Sequence, residues 1–210
     1  AGESTITIEG VDRLAGCRHD VIPDRIETAT YMAAAAVTGG SLVLRHTNPD
    51  HVASIFPAFE EAGCRITLWK DELLISSPAR LRRIKSLRTM PYPGFPTDAQ
   101  APIMAMACVA DGTSVFIENI FENRYKHAGE LLRLGAKIKV EGRVAVVEGV
   151  PVLSGAPVEC TDLRGGAALV IAGLAAEGQT VVTELHHLDR GYDRLEETLQ
   201  DAGAVIRREE

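Results

Sequence analysis

Aromatic side chains are scarce. Phe, Trp and Tyr make up 5% of the 210 residues, although hydrophobic residues reach 46%. A core built mainly from Ala, Val, Leu and Ile must gain its density from closely approaching small-residue helices, not from large rings. Long apolar runs are also missing, because charged residues interrupt every candidate before the ~20 residues that a membrane span requires. No membrane is therefore expected among the partners. Excess positive charge is absent too: 22 Lys and Arg face 29 Asp and Glu, for a net charge of −7. That balance argues against a nucleic-acid or anionic-membrane surface and leaves room only for a local basic pocket. There is no CxxC and no Cys/His cluster at metal spacing. Cys17, Cys64, Cys108 and Cys160 are scattered, which predicts reduced thiols in a cytoplasmic protein, with Cys64 and Cys108 buried. The first residues are polar and charged and do not read as a signal peptide.

What is present is a repeat. Residues 95–112 pass from a turn (Pro93, Gly94, Pro96) through Thr97 and Asp98 into Ala101–Ala110, which is apolar almost all the way round. Such a helix must be buried on every side, with Thr97 and Asp98 as its N-cap residues. The pattern recurs from Asp24 and from Asp162. Each unit predicts helix, strand, helix, strand, strand, and glycines at 63, 135 and 203 end the second helices with a period of about 70 residues. The second helices are expected over 49–61, 124–134 and 192–201, and the strands over 41–44, 65–69, 72–75, 114–118, 137–140, 144–148, 180–183 and 204–207. Residues 4–9 alternate with period two and predict a further strand. Three copies of one fully apolar helix need a shared interior, so the expected fold is α/β and pseudo-threefold, with helices inside and sheets outside.

If those helices run roughly parallel, their N-termini emerge on one face, each carrying about half a positive charge and unpaired N–H groups. By register, Asp24, Arg25, Thr97, Asp98, Asp162 and Arg164 lie at that face. The connection at 120–127 in the second unit brings Arg124 to the same level, and that at 186–192 in the third brings Arg190. Singly, each arginine is explained by capping, or by pairing with neighbouring Asp and Glu on a solvated rim. Together, Arg25, Arg124, Arg164 and Arg190 with one carboxylate describe a site for a multiply charged anion beside an acid–base group.

The segments Pro23-Asp-Arg-Ile-Glu-Thr, Phe95-Pro-Thr-Asp-Ala-Gln, Phe121-Glu-Asn-Arg, Leu153-Ser-Gly-Ala, Thr161-Asp-Leu-Arg and His187-Leu-Asp-Arg-Gly-Tyr-Asp-Arg-Leu-Glu resemble the UDP-N-acetylglucosamine enolpyruvyl transferase family. The shikimate-pathway enolpyruvyl transferases share the fold but carry a different, Lys-Glu-containing signature in the third unit. The resemblance implies two domains, each an inside-out α/β barrel of three helix-strand-helix-strand-strand repeats. Only the C-terminal half is matched: residues 1–22 as the end of the other domain and the crossing, and 23–210 as the three-repeat domain.

The implied reaction is addition of the sugar 3-hydroxyl to C2 of phosphoenolpyruvate, followed by loss of phosphate. The resemblance assigns Asp98 as general base, Arg190 as the phosphoenolpyruvate clamp, Arg124 and Arg164 as further anion-binding groups, and the Ile120 backbone as a contact to UDP-N-acetylglucosamine. Arg25 and Asp162 join them as substrate-binding residues by their place at the helix ends. The partners implied are the two substrates and an N-terminal half carrying the catalytic-loop cysteine. No metal or cofactor is called for. Two alternatives stand beside this reading: the shikimate 3-phosphate enzyme, and a non-catalytic repeat domain that binds anions or a partner.

Overall fold

The computed structural model describes residues 6–209. In the first unit, Asp24 accepts the Ile26 and Glu27 amides at 2.7 and 3.3 Å and starts helix α1 (Arg25–Val37), which is buried along most of its length. Strand β1 (Ser41–Arg45) follows, then two short helices, α2 (Pro49–Val52) and α3 (Phe56–Glu61). The expected single helix over 49–61 is broken at Ala53–Ile55. Pro57 has no N–H to return to the Ala53 carbonyl, and its ring crowds that position. Strands β2 (Arg65–Leu68) and β3 (Glu72–Ser76) complete an antiparallel sheet of order β1-β3-β2, which turns Leu73 and Ile75 inward.

The second unit opens with a strand that the sequence did not reveal, β4 (Leu87–Arg88). A 3-10 turn (Thr97–Ala99), helix α4 (Gln100–Cys108), β5 (Thr113–Ile117), α5 (Lys126–Arg133), β6 (Lys137–Glu141) and β7 (Val144–Glu148) follow. Their sheet has the order β4-β5-β7-β6, with β4 and β5 parallel, so α4 is the crossover between them. The third unit comprises β8 (Leu153–Ser154), β9 (Pro157–Glu159), α6 (Leu163–Leu174), β10 (Ala176–Glu177), β11 (Val181–Thr183) and α7 (Leu195–Asp201). Its strands form two parallel pairs, β8 with β10 and β9 with β11.

Helices α1, α4 and α6 contact one another pairwise and form the interior. Their facing surfaces are Ala, Gly, Met and branched aliphatics, with Met32, Ile103, Met104 and Met106 among the fully buried side chains. At Gly166 a Cβ would come within 2.7 Å of the Cys160 sulfur, so the packing there admits no side chain. The three terminating glycines, Gly63, Gly135 and Gly203, all adopt positive φ (97°, 86° and 98°), the left-handed conformation that closes a helix cheaply only at glycine.

The expected arrangement of helices inside and sheets outside is observed, but the sheets remain separate. Among the described residues no closed sheet forms. Two expected strands are also not strands. Residues 204–207 have no neighbouring strand to complete a ladder, and Val205 is fully exposed. Of the predicted strand 4–9, residues 4 and 5 lie outside the described residues, and 6–9 are unpaired, with Ile6 and Ile8 exposed. Val11, Leu14, Val21 and Ile22 are likewise exposed along the segment leading to α1. Among the described residues no helix is long and apolar enough to cross a membrane.

Candidate active site

The three central helices each begin next to an aspartate, and the three aspartates behave differently. Asp24 caps α1, and Asp162 caps α6 by accepting the Arg164 and Gly165 amides at 3.0 and 2.9 Å. Asp98 caps nothing. The extended backbone that an N-cap requires falls on Pro96 (φ −73°, ψ 136°), which has no side-chain acceptor, and residues 97–99 are already wound into the 3-10 turn. The expectation that Asp98 caps its helix is therefore wrong, and its carboxylate is left available for other partners.

Those partners are arginines. Arg124 Nη2, from the loop before α5, donates to Asp98 Oδ1 at 2.8 Å. Arg164 Nε, from the first turn of α6, lies 3.5 Å from Asp98 Oδ2, and Arg164 Nη2 lies 3.8 Å from Asp24 Oδ2. One guanidinium thus stands between the carboxylates of two units. The side chain of Arg164 is largely buried, whereas both aspartates stay half-exposed. The Arg164 guanidinium stacks 5.3 Å from the Tyr192 ring centroid, and that of Arg124 5.5 Å from Phe121. Burial works against the charge of Arg164, but Tyr192, Asp98 and Asp24 more than offset it and raise its pKa. Arg164 Nε meets Asp98 as an ion pair without a well-formed hydrogen bond, and Nη1 is buried with no hydrogen-bond partner among the described residues, which costs free energy unless an acceptor reaches it.

The remaining candidates are placed around this cluster. Asp162 lies at the start of α6, spent on capping. Ile120 is partly exposed in the loop after β5 that leads to Arg124. Arg190 is exposed and has no ion pair among the described residues. Its segment nevertheless packs at the same helix end: a Cβ on Gly191 would meet the Leu163 side chain at 2.8 Å, and the Tyr192 hydroxyl pairs with Thr30 Oγ1 at 2.8 Å. Arg25, the first residue of α1, is exposed and likewise without an ion pair among the described residues. The structure thus joins Asp98, Arg124 and Arg164 directly, adds Asp24, and brings no charged partner to Arg25 or Arg190.

Two buried groups beside the cluster escaped sequence reasoning. Glu118 is 1% exposed, and its carboxylate accepts four hydrogen bonds. Strand parity signals it, because Ser114, Phe116 and Glu118 share the inward face of β5 and its continuation. His127, in the first turn of α5, is buried with Nε2 unpartnered. Burial pushes its pKa down to about 4, the Asp162 carboxylate opposes that shift, and the Arg124 charge adds to it.

A buried three-helix interior, with arginines and aspartates paired at the helix ends, defines a mixed α/β protein. The matching family model is that of EPSP synthase (3-phosphoshikimate 1-carboxyvinyltransferase), and it covers residues 1–199. The chain belongs to that family. It is 52% identical over 208 residues to UDP-N-acetylglucosamine 1-carboxyvinyltransferase 1 of Caldanaerobacter subterraneus subsp. tengcongensis, a match covering 99% of this chain and 50% of the relative. The chain therefore spans about half the length of that curated relative. Among solved structures it is similar to the enolpyruvyl transferase NikO from Streptomyces tendae (TM-score 0.81, 31% identity, 89% of this chain and 44% of that one). It also shares its fold with EPSP synthase from Acinetobacter baumannii (TM-score 0.65, 20% identity, 87% and 43%).

Proposed function

We propose that this chain is the C-terminal half of an enzyme that transfers the enolpyruvyl group of phosphoenolpyruvate to the 3-hydroxyl of UDP-N-acetylglucosamine, releasing phosphate. This is the reaction that commits material to peptidoglycan in the cytoplasm. In this reading residues 23–210 are one of two inside-out barrel domains, and 1–22 the end of the other domain and the crossing from it. The other half contributes the catalytic-loop cysteine, so this half alone is incomplete. The observation that carries the reading is the Asp98 carboxylate, withheld from capping α4 and gripped between Arg124 and Arg164.

The chemistry divides among those groups. Asp98 accepts the proton of the sugar 3-hydroxyl as its oxygen bonds to C2 of phosphoenolpyruvate, while C3 takes a proton from an acid of the other half. That group, now a base, takes a proton back from C3 as phosphate departs, which leaves the enol ether. The unpaired Nη1 of Arg164, with Arg124 and Arg190, supplies positive charge for the phosphate and carboxylate of the tetrahedral intermediate. Arg25, Asp162 and the Ile120 backbone line the sugar-nucleotide side. Closure of the other half over the ligands would exclude water. Phosphate release by the full-length polypeptide tests the proposal. Turnover with phosphoenolpyruvate and UDP-N-acetylglucosamine, and none with shikimate 3-phosphate, is expected; the reverse pattern assigns the shikimate reaction, and no turnover with either leaves a binding domain.

A further inference from the structure

We infer that Glu118 is the positioning residue that sets the general base and the sugar-nucleotide loop in register; this rests on the function proposed above. The Glu118 carboxylate touches three separate pieces of chain. Oε2 accepts from Thr97 Oγ1 at 2.9 Å, immediately before Asp98. Oε1 accepts from the Ile120 and Phe121 amides at 2.8 and 3.1 Å and from Thr89 Oγ1 at 2.8 Å. Thr89 Oγ1 in turn accepts the Asn119 amide at 2.8 Å, and Thr89 O accepts from Asn119 Nδ2 at 3.1 Å.

A carboxylate 1% exposed, with no cation in salt-bridge range among the described residues, is costly to bury unless its oxygens are hydrogen-bonded. Here four neutral donors serve them, three on Oε1 and one on Oε2. The arrangement is also directional: one oxygen holds the turn that carries Asp98, and the other holds the loop that carries Ile120 and, three residues beyond Phe121, Arg124. The 2.8 Å Arg124–Asp98 contact spans these two pieces, so its geometry depends on the carboxylate between them. A hydrophobic or merely space-filling residue at 118 holds neither. Outer-layer groups of this kind act by fixing the residues that touch substrate, and a displacement of about 1 Å can cost about 10²-fold in rate.

The test uses the full-length enzyme and separates the two oxygens. Thr97→Val removes the hydroxyl on the Asp98 side alone and is expected to lower kcat by about 10-fold or more with little change in either KM, while Thr97→Ser restores most of the loss. Glu118→Met keeps the bulk and removes both acceptors, so it disturbs both sides. It is expected to lower kcat by about 10- to 10²-fold and also to raise KM for UDP-N-acetylglucosamine more than KM for phosphoenolpyruvate. Normal kinetics in Glu118→Met, or equal impairment in Thr97→Ser and Thr97→Val, overturns the inference. If Glu118→Met fails to fold, the Thr97 pair decides. If the wild-type enzyme turns over neither sugar nucleotide nor shikimate 3-phosphate, the proposed function fails. Amide hydrogen exchange then decides for Glu118: faster exchange in both 97–99 and 119–124 in the Met variant supports it, and unchanged exchange refutes it.

Discussion

Asp98 differs from Asp24 and Asp162 in one respect, its freedom from capping, and that freedom gives a direct prediction. Asp98→Asn keeps the shape and the Arg124 contact but removes the proton acceptor. In the full-length enzyme turnover should fall by about 10²–10⁴-fold with the fold retained, and the melting temperature should fall modestly because the buried Arg164 charge loses one of its two carboxylates. Arg164→Lys keeps a positive charge yet cannot stack on Tyr192 while facing Asp98 and Asp24 together. A kcat loss of about 10²–10³-fold is expected, and near-normal kcat would mean that charge alone suffices.

His127 makes a pH-dependent prediction. Its folded pKa of about 4 lies below the ordinary 6.5, because burial disfavours the charged ring. Between those values the unfolded chain binds a proton that the folded one does not, so stability falls as pH drops from about 6.5 to about 4 and stops falling on this account below that. Denaturant melts of wild type and His127→Leu across this range should show a shallower slope for the variant.

At this scale the site was only partly legible. The repeat register places Asp98, Arg124 and Arg164 at one level. Residue type alone suggests a cap at Asp98, but a single helical turn at 97–99 decides whether an aspartate caps, and no periodicity resolves one turn. Glu118 was legible in principle from strand parity, but a Glu at a strand's end reads first as solvent-facing.

Among the elements, the long apolar helices were the easiest to read, since burial on all sides leaves a signature that no surface segment shares. Two-residue strands such as β4 and β8 carry too few side chains to alternate. They exist because a neighbour, β5 or β10, supplies the ladder. The break between α2 and α3 is signalled by Pro57, a local feature that a repeat of whole elements does not register. Two tests belong to this level. Asp24→Ala removes the α1 cap and should cost about 1 kcal/mol in a denaturant melt. Gly149→Ala should cost considerably more, because its Cβ would fall 1.6 Å from the Ala110 carbonyl oxygen, where β7 leaves the sheet beside the end of α4.

For the whole molecule, the unpaired segment at residues 6–22 presents Ile6, Ile8, Leu14 and Val21 to solvent. Apolar side chains in such a row call for covering. The 210-residue chain expressed alone should accordingly bind a hydrophobic dye that the full-length enzyme does not, and should release no phosphate from phosphoenolpyruvate.

The middle helix opens differently from its two counterparts. Pro96 stands where Asp24 and Asp162 stand in the first and third units, and Asp98 lies two residues further on, inside the 3-10 turn. An acidic group set within the helix start, not ahead of it, faces Arg124 and Arg164 in place of its own backbone amides, so a departure from threefold regularity is what singles out one carboxylate.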